Sequence, residues 1–497
     1  MNDIGNKLSG IVGKSNVIDS PEILELYSLD RNSARRMAPK YVVRPQKAEQ
    51  VRELVKWANE TSTPLVPVSS GGQHRKGGTV PVMPASIIVD LSGMKKIFSI
   101  NRMFRMVVLE PGVTYGELQE ALKKEGLMLD VPLSPRAEKS VIASVLETEP
   151  RLNPNMQWSS TEPLRCTEVV WGDGTLMRTG EAWGQPSNVS SAEAIAAEQA
   201  NHGWQIAPNG PDTFDYYRLL SGAQGTMGIV TWASLKCALL PEVHHMHLLP
   251  ADDPEKIIDF MYNIVHLRLG DSLFMMNSLA LACLMGNTPV EIQTFKGEFP
   301  PWIGFCSAAS RPPLPEKRIY AQEAGIERCA QQAGVKNLSS VGRFNGTDIL
   351  KEAFSPCSHG RYWKDTFKGS SADIFFLTTM EMVPAFINKM YELAARDSVS
   401  PEEIGIYVQP KHQGVNCHVE FMLPYNPESA TEVSRTQALF EKASRAFSAM
   451  GAYYSRPYGD WARLQINKDA MSADTLKKLK GIFDPNHILN PGKFSLV

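Results

Sequence analysis

The chain of 497 residues carries 51 Lys and Arg residues against 53 Asp and Glu residues, and its net charge of −2 provides no basic surplus for binding nucleic acid. Its seven cysteines are scattered, odd in number and free of any Cys-x-x-Cys pair, which argues against a disulfide framework and against a zinc or iron–sulfur cluster. A chain of this length is too long for one simple core and predicts two domains, or three.

Neither a secretory signal nor a membrane span is predicted. The first residues, MNDIGNKLSG, lack the basic segment followed by an apolar segment that marks a secretory signal. The longest nearly uncharged apolar stretch, Ser272 to Gly286, is too short to cross a bilayer and is expected in the core. We therefore expect a soluble cytoplasmic protein.

The first strong pattern along the chain is a helix followed by a strand, a loop and a second strand. Val51, Leu54, Val55 and Ala58 share one face at helical spacing, which predicts a helix from Lys47 to Ala58. The apolar run Pro64 to Val68 predicts a buried strand, and the β-branched run Ser86 to Leu91 predicts another.

The loop between these strands is rich in glycine and hydroxyl residues and predicts an anion cradle. Glycines reach φ > 0 and let successive backbone N–H groups converge on phosphate oxygens. The predicted binding residues are Val68, Ser69, Ser70, Gly71, Gly72, Gln73, His74, Gly77 and Gly78.

Two better-known phosphate loops are excluded at this position. The nucleotide P-loop pattern is nearly met from Gly72 to Thr79, but Gly78 occupies the place of its lysine. The dinucleotide pattern G-x-G-x-x-G is also absent from the loop. An ordinary glycine-rich β-hairpin is the structural alternative.

Farther along, the pattern is that of short strands and capped helices. Val107 to Gly112 predicts a strand that ends in a turn, and Thr114 is expected to cap the next helix. Gly172, Asp173 and Gly174 predict the turn of a hairpin. A third glycine cluster runs from Gly222 to Thr231, and a polar insertion, 184–209, is expected at the surface.

Three segments give the chain a family resemblance. RPQKAEQVRELVKWANETSTPLVPVSSGG, VVLEPGVTYGELQEAL and DPNHILNPGKF together resemble the vanillyl-alcohol oxidase and p-cresol methylhydroxylase family of flavoproteins. The resemblance implies an α+β fold with a two-lobed FAD-binding domain at residues 1–240. It also implies an inserted α+β cap domain at 241–447, and a tail at 448–497 that returns to the FAD-binding domain.

The resemblance further implies FAD contacts outside the first loop: Pro132, Ser140, Val141, Ser144, Gly228, Ile229, Val230 and Lys493. In the second loop, Ala143 and Ser144 replace the glycines of the close relatives. No aspartate stands where those relatives place an acidic residue near flavin N5.

We predict non-covalent FAD. In the berberine-bridge type the tethering histidine follows the two cradle glycines directly, whereas Gln73 stands there and His74 is one residue late. Attachment through His74 is the alternative. Vanillyl-alcohol oxidase uses a histidine in an Ala-His-Leu-Phe-Phe context, and Asp373 replaces it here.

Arg456 is the first candidate for binding substrate, because the phenol-oxidising relatives bind a phenolate with a Tyr-Arg pair before the tail. Tyr454 and Tyr458 are its candidate partners. A guanidinium offers paired N–H groups and a permanent positive charge to an anionic oxygen. The alternative for Arg456 is a surface arginine in a loop.

Further candidates are Lys76 toward substrate, and His418 and Asp373 near the flavin ring. Lys76 contacting FAD phosphate, a buried structural His418 and a strand-start Asp373 are their respective alternatives. His244, His245 and His247 cluster after Pro241, but no other metal ligand is placed by the sequence, and we predict no metal. The Ser-Gly-Glu-His-Gly element of the metal-dependent hydroxy-acid dehydrogenases is absent.

The resemblance predicts an FAD-dependent oxidoreductase that takes a hydride from an aromatic substrate, a para-substituted phenol. Oxygen or a redox protein such as a cytochrome is expected to reoxidise the flavin, and a homodimer is expected. The alternatives are a hydroxy-acid or alcohol dehydrogenase of the same fold, with a carboxylate bound by Arg456 and Lys76, and a catalytically silent flavin-binding protein.

Overall fold

The computed structural model describes residues 3–29, 36–72, 75, 78–154, 162–182, 215–357 and 362–495. The predicted binding residues Gln73, His74, Lys76 and Gly77 lie outside the described residues, as does the insertion 184–209.

The α-helices are α1 Asp3–Val12, α2 Pro21–Leu26, α3 Ala48–Thr61, α4 Tyr115–Lys124, α5 Val141–Leu146, α6 Pro254–His266, α7 Ser278–Met285, α8 Pro289–Glu298, α9 Pro315–Ala333, α10 Gly346–Phe354, α11 Val383–Arg396, α12 Ala430–Ala449, α13 Asp460–Ile466 and α14 Ala470–Phe483.

The strands are β1 Val17–Ile18, β2 Tyr41–Val43, β3 Leu65–Val68, β4 Ile87–Asp90, β5 Ile97–Asn101, β6 Met106–Leu109, β7 Leu127–Met128, β8 Leu164–Trp171, β9 Leu176–Arg178, β10 Gly228–Lys236, β11 Ala238–Leu239, β12 Val243–Ala251, β13 Ser272–Asn277, β14 Trp302–Ser310, β15 Ser340–Val341, β16 Phe344–Asn345, β17 Ser370–Thr378, β18 Gly405–Lys411 and β19 Asn416–Tyr425.

The glycine-rich loop connects two strands of a four-stranded sheet whose order is β1-β2-β4-β3. β3 and β4 pair in parallel, so the loop between them is a crossover and the hairpin alternative is wrong. Helix α3 covers this sheet because its apolar stripe, including Val51, Leu54 and Val55, is fully buried.

A second, antiparallel sheet of order β5-β6-β10-β8-β9 adjoins the first. The predicted hairpin is present: β8 and β9 are antiparallel neighbours, joined by the Gly172 to Gly174 turn. Thr114 caps α4 as predicted, with a reciprocal capping box formed with Glu117.

The third large sheet, of order β12-β14-β13-β18-β19-β17, is antiparallel and is built from residues between 243 and 425. One face, which includes Ile374, Val408 and Phe421, packs in a core with residues of α6, α9, α11 and α12. The other face belongs to the core shared with the first part of the chain, through Phe274, Tyr407 and others. The predicted α+β fold class is thereby confirmed.

The stretch Ser272 to Gly286 lies in the core as predicted, since it forms β13 and α7, whose residues are nearly all buried. Among the described residues, no helix has both the length and the apolar character needed to cross a membrane. All seven cysteines are free thiols.

The C-terminal tail returns to the first sheet. The backbone N–H of Leu65 donates to Ile488 O at 2.7 Å, and that of Asn490 donates to Leu65 O at 2.7 Å. Asn490 Nδ2 also donates to Gln224 O at 2.8 Å and to Gly78 O at 3.3 Å. One residue of the tail therefore joins the first glycine loop to the third glycine cluster.

A buried ion pair fixes this tail. Lys480 Nζ donates to the carboxylate of Asp484 and to Leu489 O at 2.9 Å. The same carboxylate accepts hydrogen bonds from the backbone N–H groups of Ile488 and Leu489, at 3.0 and 2.9 Å. Burial lowers the pKa of Lys480, and the Asp484 carboxylate opposes that shift. The pair is therefore held by mutual neutralisation.

Asp484→Ala should reduce the free energy of unfolding by about 3–5 kcal/mol, because it leaves the Lys480 charge buried without its partner. Urea denaturation followed by circular dichroism measures the effect. Asp474→Ala is the matched control, because Asp474 is exposed on α14, the helix that carries Lys480. It should change the free energy of unfolding by less than about 0.5 kcal/mol. Equal destabilisation by the two variants would contradict the proposed importance of the pair.

Candidate active site

A cavity opens between the first glycine loop, the loop around α5, the third glycine cluster and the segment 456–458. The predicted site residues that line it are Val68, Ser69, Ser70, Gly78, Gly228, Ile229, Val230, Arg456 and Tyr458. Residues from both ends of the chain thus meet at one cavity.

The first two loops are tied to each other at the cavity. The backbone N–H of Gly71 donates to Glu138 O at 3.0 Å, and that of Ser140 donates to Ser70 Oγ at 3.2 Å. Gly72 has a φ of +69°, and a Cβ at this position would lie 2.3 Å from Glu138 Oε2. The positive φ favours glycine at this position, whereas the carboxylate of Glu138, at the end of a flexible side chain, could move away from a Cβ.

The third glycine cluster closes another wall. Gly225 has a φ of +68°, and a Cβ there would lie 2.5 Å from Pro67 Cγ of strand β3. Gln224 Nε2 donates to Pro457 O at 3.0 Å, which fixes the segment that carries Arg456 and Tyr458. The cluster thus positions both the cavity wall and the candidate substrate residues.

Several predicted cofactor residues are placed outside the cavity lining: Gly71, Gly72, Pro132, Ser140, Val141, Ser144 and Lys493. The Ser140 hydroxyl caps α5 and donates to Pro111 O at 2.6 Å. Lys493 Nζ donates to Val80 O at 3.0 Å. These side chains bind protein groups in this structure, and their roles toward FAD stay predictions.

Ser144 belongs to a buried polar chain. Tyr115 Oη donates to Ser144 Oγ at 2.9 Å, and Ser144 Oγ donates to Glu149 Oε2 at 2.5 Å. The other carboxylate oxygen of Glu149 lies 3.8 Å from Nη1 of Arg456. The second loop therefore contributes to the site through Glu149, which the sequence analysis missed.

Arg456 is buried, with a 4 % exposed side chain, so the surface-loop alternative is wrong. Its guanidinium carbon lies 3.9 Å from the ring centroid of Phe375. Its Nε is buried and has no hydrogen-bond partner among the residues that the structure describes. A buried cation with an unused donor at a cavity wall is suited to binding an anionic ligand.

The two candidate tyrosines have different surroundings. Tyr458 lines the cavity and is hydrogen-bonded to Glu147, which also pairs with Lys139 Nζ at 2.8 Å. Burial and the Glu147 carboxylate raise the pKa of Tyr458 well above its ordinary value, and the phenol stays protonated at neutral pH. Tyr454 Oη instead donates to Ser444 O at 2.6 Å, in the core of the cap.

His418 and Asp373 lie in a network on the sheet face turned toward the first part of the chain. His418 Nε2 is 3.2 Å from Glu420 Oε2, and Lys364 pairs with Glu420. Lys364 Nζ also lies 3.4 Å from Asp373 Oδ2. Burial lowers the pKa of Lys364, and the Asp373 carboxylate opposes that shift.

Two buried cations that were not predicted, Arg151 and Lys411, lie near Arg456 and outside the cavity lining. Burial, together with the charges of Arg456 and Arg151, lowers the pKa of Lys411 to about 7. Lys411 Nζ donates to Thr148 O at 3.3 Å, beside Glu149. A period-two signal was available for Lys411, since Gln409 and Lys411 alternate with apolar residues on β18. Arg151 follows the second loop and had no such signal.

Among the described residues, no group of three or more His, Cys, Asp and Glu side chains is arranged to hold a metal. His245 pairs with Glu323 at 2.7 Å, and Nε2 of His247 lies 3.9 Å from the same carboxylate. The histidines that follow Pro241 lie on β12, an edge strand of the cap sheet.

Comparison with known proteins gives three findings. The family model for the FAD binding domain matches residues 39–180. D-2-hydroxyglutarate dehydrogenase of Stutzerimonas stutzeri (strain A1501) is 21% identical over 98% of this chain and 98% of its own length. The 4-cresol dehydrogenase [hydroxylating] flavoprotein subunit of Pseudomonas putida is 30% identical over 35% of this chain and 34% of its own length.

Among solved structures, p-cresol methylhydroxylase with substrate bound superposes with a TM-score of 0.82 at 17% identity. The match covers 99% of this chain and 96% of that one. A likeness at this identity concerns the fold, which confirms the two-lobed arrangement with an inserted cap.

The residues at the cavity fit FAD. The loop glycines bring backbone close to the cavity, and the cations Arg136 and Lys139 line it and suit a diphosphate. Thr79 Oγ1, a second lining group, is buried without a hydrogen-bond partner. Buried polar atoms of this kind are normally satisfied, and a bound ligand accounts for them.

Gly225→Ala should lower FAD affinity about tenfold or more, because the new methyl group strains a positive φ and forces the glycine cluster away from Pro67. The dissociation constant is measured by titrating deflavinated protein with FAD and following flavin fluorescence.

Gly222→Ala is the matched control for this prediction. Gly222 has a φ of +76°, but a Cβ there meets nothing within 4 Å. Gly222→Ala therefore introduces only the backbone strain, and the loss of FAD affinity should be clearly smaller than in Gly225→Ala. Equal affinity losses in both variants would show that the contact with Pro67 does not shape the FAD cavity.

Proposed function

This chain carries an FAD-binding domain of the p-cresol methylhydroxylase type, and from that premise we propose that it is an FAD-dependent dehydrogenase of organic anions. Its substrate would carry an anionic oxygen bound by Arg456. The bound FAD supplies the hydride acceptor. The observation that carries the proposal is the buried Arg456 guanidinium at the cavity wall, whose Nε has no hydrogen-bond partner.

A 2-hydroxy carboxylate is the first candidate substrate. Three buried cations, Arg456, Arg151 and Lys411, lie close enough for the first two to lower the pKa of the third. A carboxylate is a compact anion that can neutralise the positive charge of such a cluster. The end-to-end similarity to a D-2-hydroxyglutarate dehydrogenase supports the same class.

A para-substituted phenol is the second candidate. The Arg456 guanidinium lies on the Phe375 ring, and the rings of Phe375 and Tyr407 lie 6.2 and 5.8 Å from the His418 ring. These rings would pack against an aromatic substrate. The fold match to p-cresol methylhydroxylase and the local similarity to the 4-cresol enzyme support this class.

The chain's own residues have distinct tasks in either case. Arg456 would hold the anionic oxygen and thereby orient the carbon that loses the hydride. Glu149, fixed by the Tyr115–Ser144 chain, would orient the guanidinium from behind. Tyr458 stays protonated at neutral pH and is held by Glu147, where it forms part of the wall beside Arg456.

Anaerobic stopped-flow mixing tests the reaction. Flavin reduction is followed with D-lactate, D-2-hydroxyglutarate, 4-cresol and 4-ethylphenol as separate donors. We expect the hydroxy acids to reduce the flavin faster. Reduction by the phenols alone would assign the second class, and bleaching by dithionite with none of the organic donors would favour the silent flavin-binding protein.

Arg456→Ala should slow reduction by the best donor about 100-fold or more, since a charged contact to the developing transition state is lost. Arg456→Lys should recover part of the rate, because it keeps the charge and loses the paired donors. Arg396→Ala, at an exposed arginine, is the control and should behave like the parent. If the Arg456→Ala variant retains FAD and its flavin is reduced at the parent rate, Arg456 does not bind the substrate in the reaction.

Lys411 should give anion binding a pH dependence. Its ammonium is charged below about pH 7 and neutral above it, so the cluster loses one positive charge as the pH rises. Affinity for a carboxylate should then fall several-fold between pH 6 and 8, since a nearby unit charge contributes on the order of 1 kcal/mol. Calorimetric titration with oxalate measures it, and Lys411→Met should flatten the profile. A profile unchanged in that variant would assign the titration to another group.

A further inference from the structure

A second, larger cleft lies on the other side of the Arg456–Tyr458 segment. It lies between strand β17, helices α12 and α13, residues 80–82 and the tail around Gly492. Three residues that were predicted near the flavin or the substrate, Asp373, Tyr458 and Lys493, are part of its lining.

The second cleft adjoins the active-site cavity. Gln224 and Tyr458 line both spaces. The inner end of the cleft is formed by Phe375, whose ring lies under the Arg456 guanidinium at 3.9 Å. A molecule bound to Arg456 therefore has the second cleft directly beside it.

The inner walls of the second cleft are aromatic and firmly held. Phe440 stacks on Trp461 with ring centroids 5.3 Å apart, and Trp461 stacks on Tyr454 at 4.7 Å. Trp461 Nε1 donates to Ser444 Oγ at 2.8 Å, which satisfies its one polar atom and leaves its ring surface apolar.

The outer rim differs in character. Glu441, Arg445, Asp460 and Arg463 line the cleft and are exposed. Polar groups at the mouth and aromatic rings inside are the usual design of a small-molecule site, which admits a ligand from water and buries its apolar part.

We propose that the second cleft binds the apolar end of the substrate, so that the substrate is an anion bearing an extended alkyl or aryl group. Its anionic oxygen lies at Arg456, and its chain runs past Tyr458 along the Phe440–Trp461 wall. This inference rests on the proposed function, because it takes Arg456 as the anion site. It narrows the substrate from small hydroxy acids and simple phenols to longer relatives of either class.

Binding of two unreactive carboxylates to the FAD-loaded protein tests the proposal without turnover. Isothermal titration calorimetry compares propanoate with 6-phenylhexanoate. We expect 6-phenylhexanoate to bind tighter by on the order of tenfold or more, since burying even two additional methylene groups accounts for that factor. Equal affinities would overturn the proposal.

Variants on α12 localise the effect. Thr436→Trp places a ring in the cleft from a buried lining position and should abolish the advantage of 6-phenylhexanoate while propanoate binding stays unchanged. Val433→Trp, at a partly buried lining position, should have the same effect on binding. This second variant tests the proposal if Thr436→Trp fails to fold. Ser434→Trp, exposed on the same helix and outside the lining, is the matched control. An advantage that persists in both blocking variants would overturn the assignment to the second cleft.

A kinetic comparison separates the two proposals. If D-lactate and D-3-phenyllactate both reduce the flavin but the phenyl group brings no lower KM, the reaction stands and the second cleft is not a substrate site. If neither donor reduces the flavin while 6-phenylhexanoate still binds preferentially and is blocked at Thr436, the cleft assignment stands and the hydroxy-acid reaction falls.

Discussion

A buried ion pair between Arg75 and Asp365 couples the glycine-rich loop to the cap, and the arrangement of the site depends on it. Both side chains are almost wholly withdrawn from water, with 7% and 3% exposure. The Arg75 guanidinium also lies 4.8 Å from the ring centroid of Tyr362. Separating loop and cap would leave two uncompensated charges, and breaking such a pair is far more costly than any surface contact. The ion pair therefore joins the glycine-rich loop to the cap at the cavity, whose lining includes Arg75.

The segment that carries Asp365 continues the coupling into the cap sheet. Lys364, its neighbour, pairs with Glu420 and Asp373, and Glu420 in turn contacts His418. These charges neutralise one another within the sheet face. The Arg456 guanidinium is less closely paired, since Glu149 Oε1 lies 3.8 Å from its Nη1. Under the proposed function, an anionic substrate would complete that balance, whatever its carbon skeleton.

The solved structure that shares this fold and the relative with end-to-end sequence similarity are named for enzymes of different substrate classes. The backbone arrangement is shared with p-cresol methylhydroxylase at 17% identity, whereas the end-to-end sequence similarity is to a hydroxy-acid dehydrogenase at 21%. The cavity walls made by glycines and backbone belong to the FAD-binding architecture and do not discriminate substrates. Discrimination would fall to side chains around Arg456, which combine cations such as Arg456 and Lys411 with aromatic rings such as Phe375.

The sequence by itself determined several local elements and an anion-binding loop. Hydrophobic periodicity specified α3, turn glycines specified the β8–β9 hairpin, Thr114 specified the start of α4, and the glycine-rich loop specified an anion cradle. Each of these depends on neighbours within a few residues, which a sequence displays directly. FAD as the cofactor came from the family resemblance. The prediction of Arg456 as a buried cavity residue came from resemblance rather than from pattern.

Only the tertiary structure decided which polar groups meet. Ser144 was expected at the flavin, but its hydroxyl binds Tyr115 and Glu149, which come from separate turns of the chain. Tyr454 was expected beside the substrate, and its hydroxyl donates a hydrogen bond to the backbone oxygen of Ser444 in the cap core. The low pKa of Lys411 requires Arg151 and Arg456 at sequence separations of 260 and 45 residues. A side chain's charge and hydrogen-bond partners are set by three-dimensional burial and by groups distant in sequence, and no local pattern contains that information.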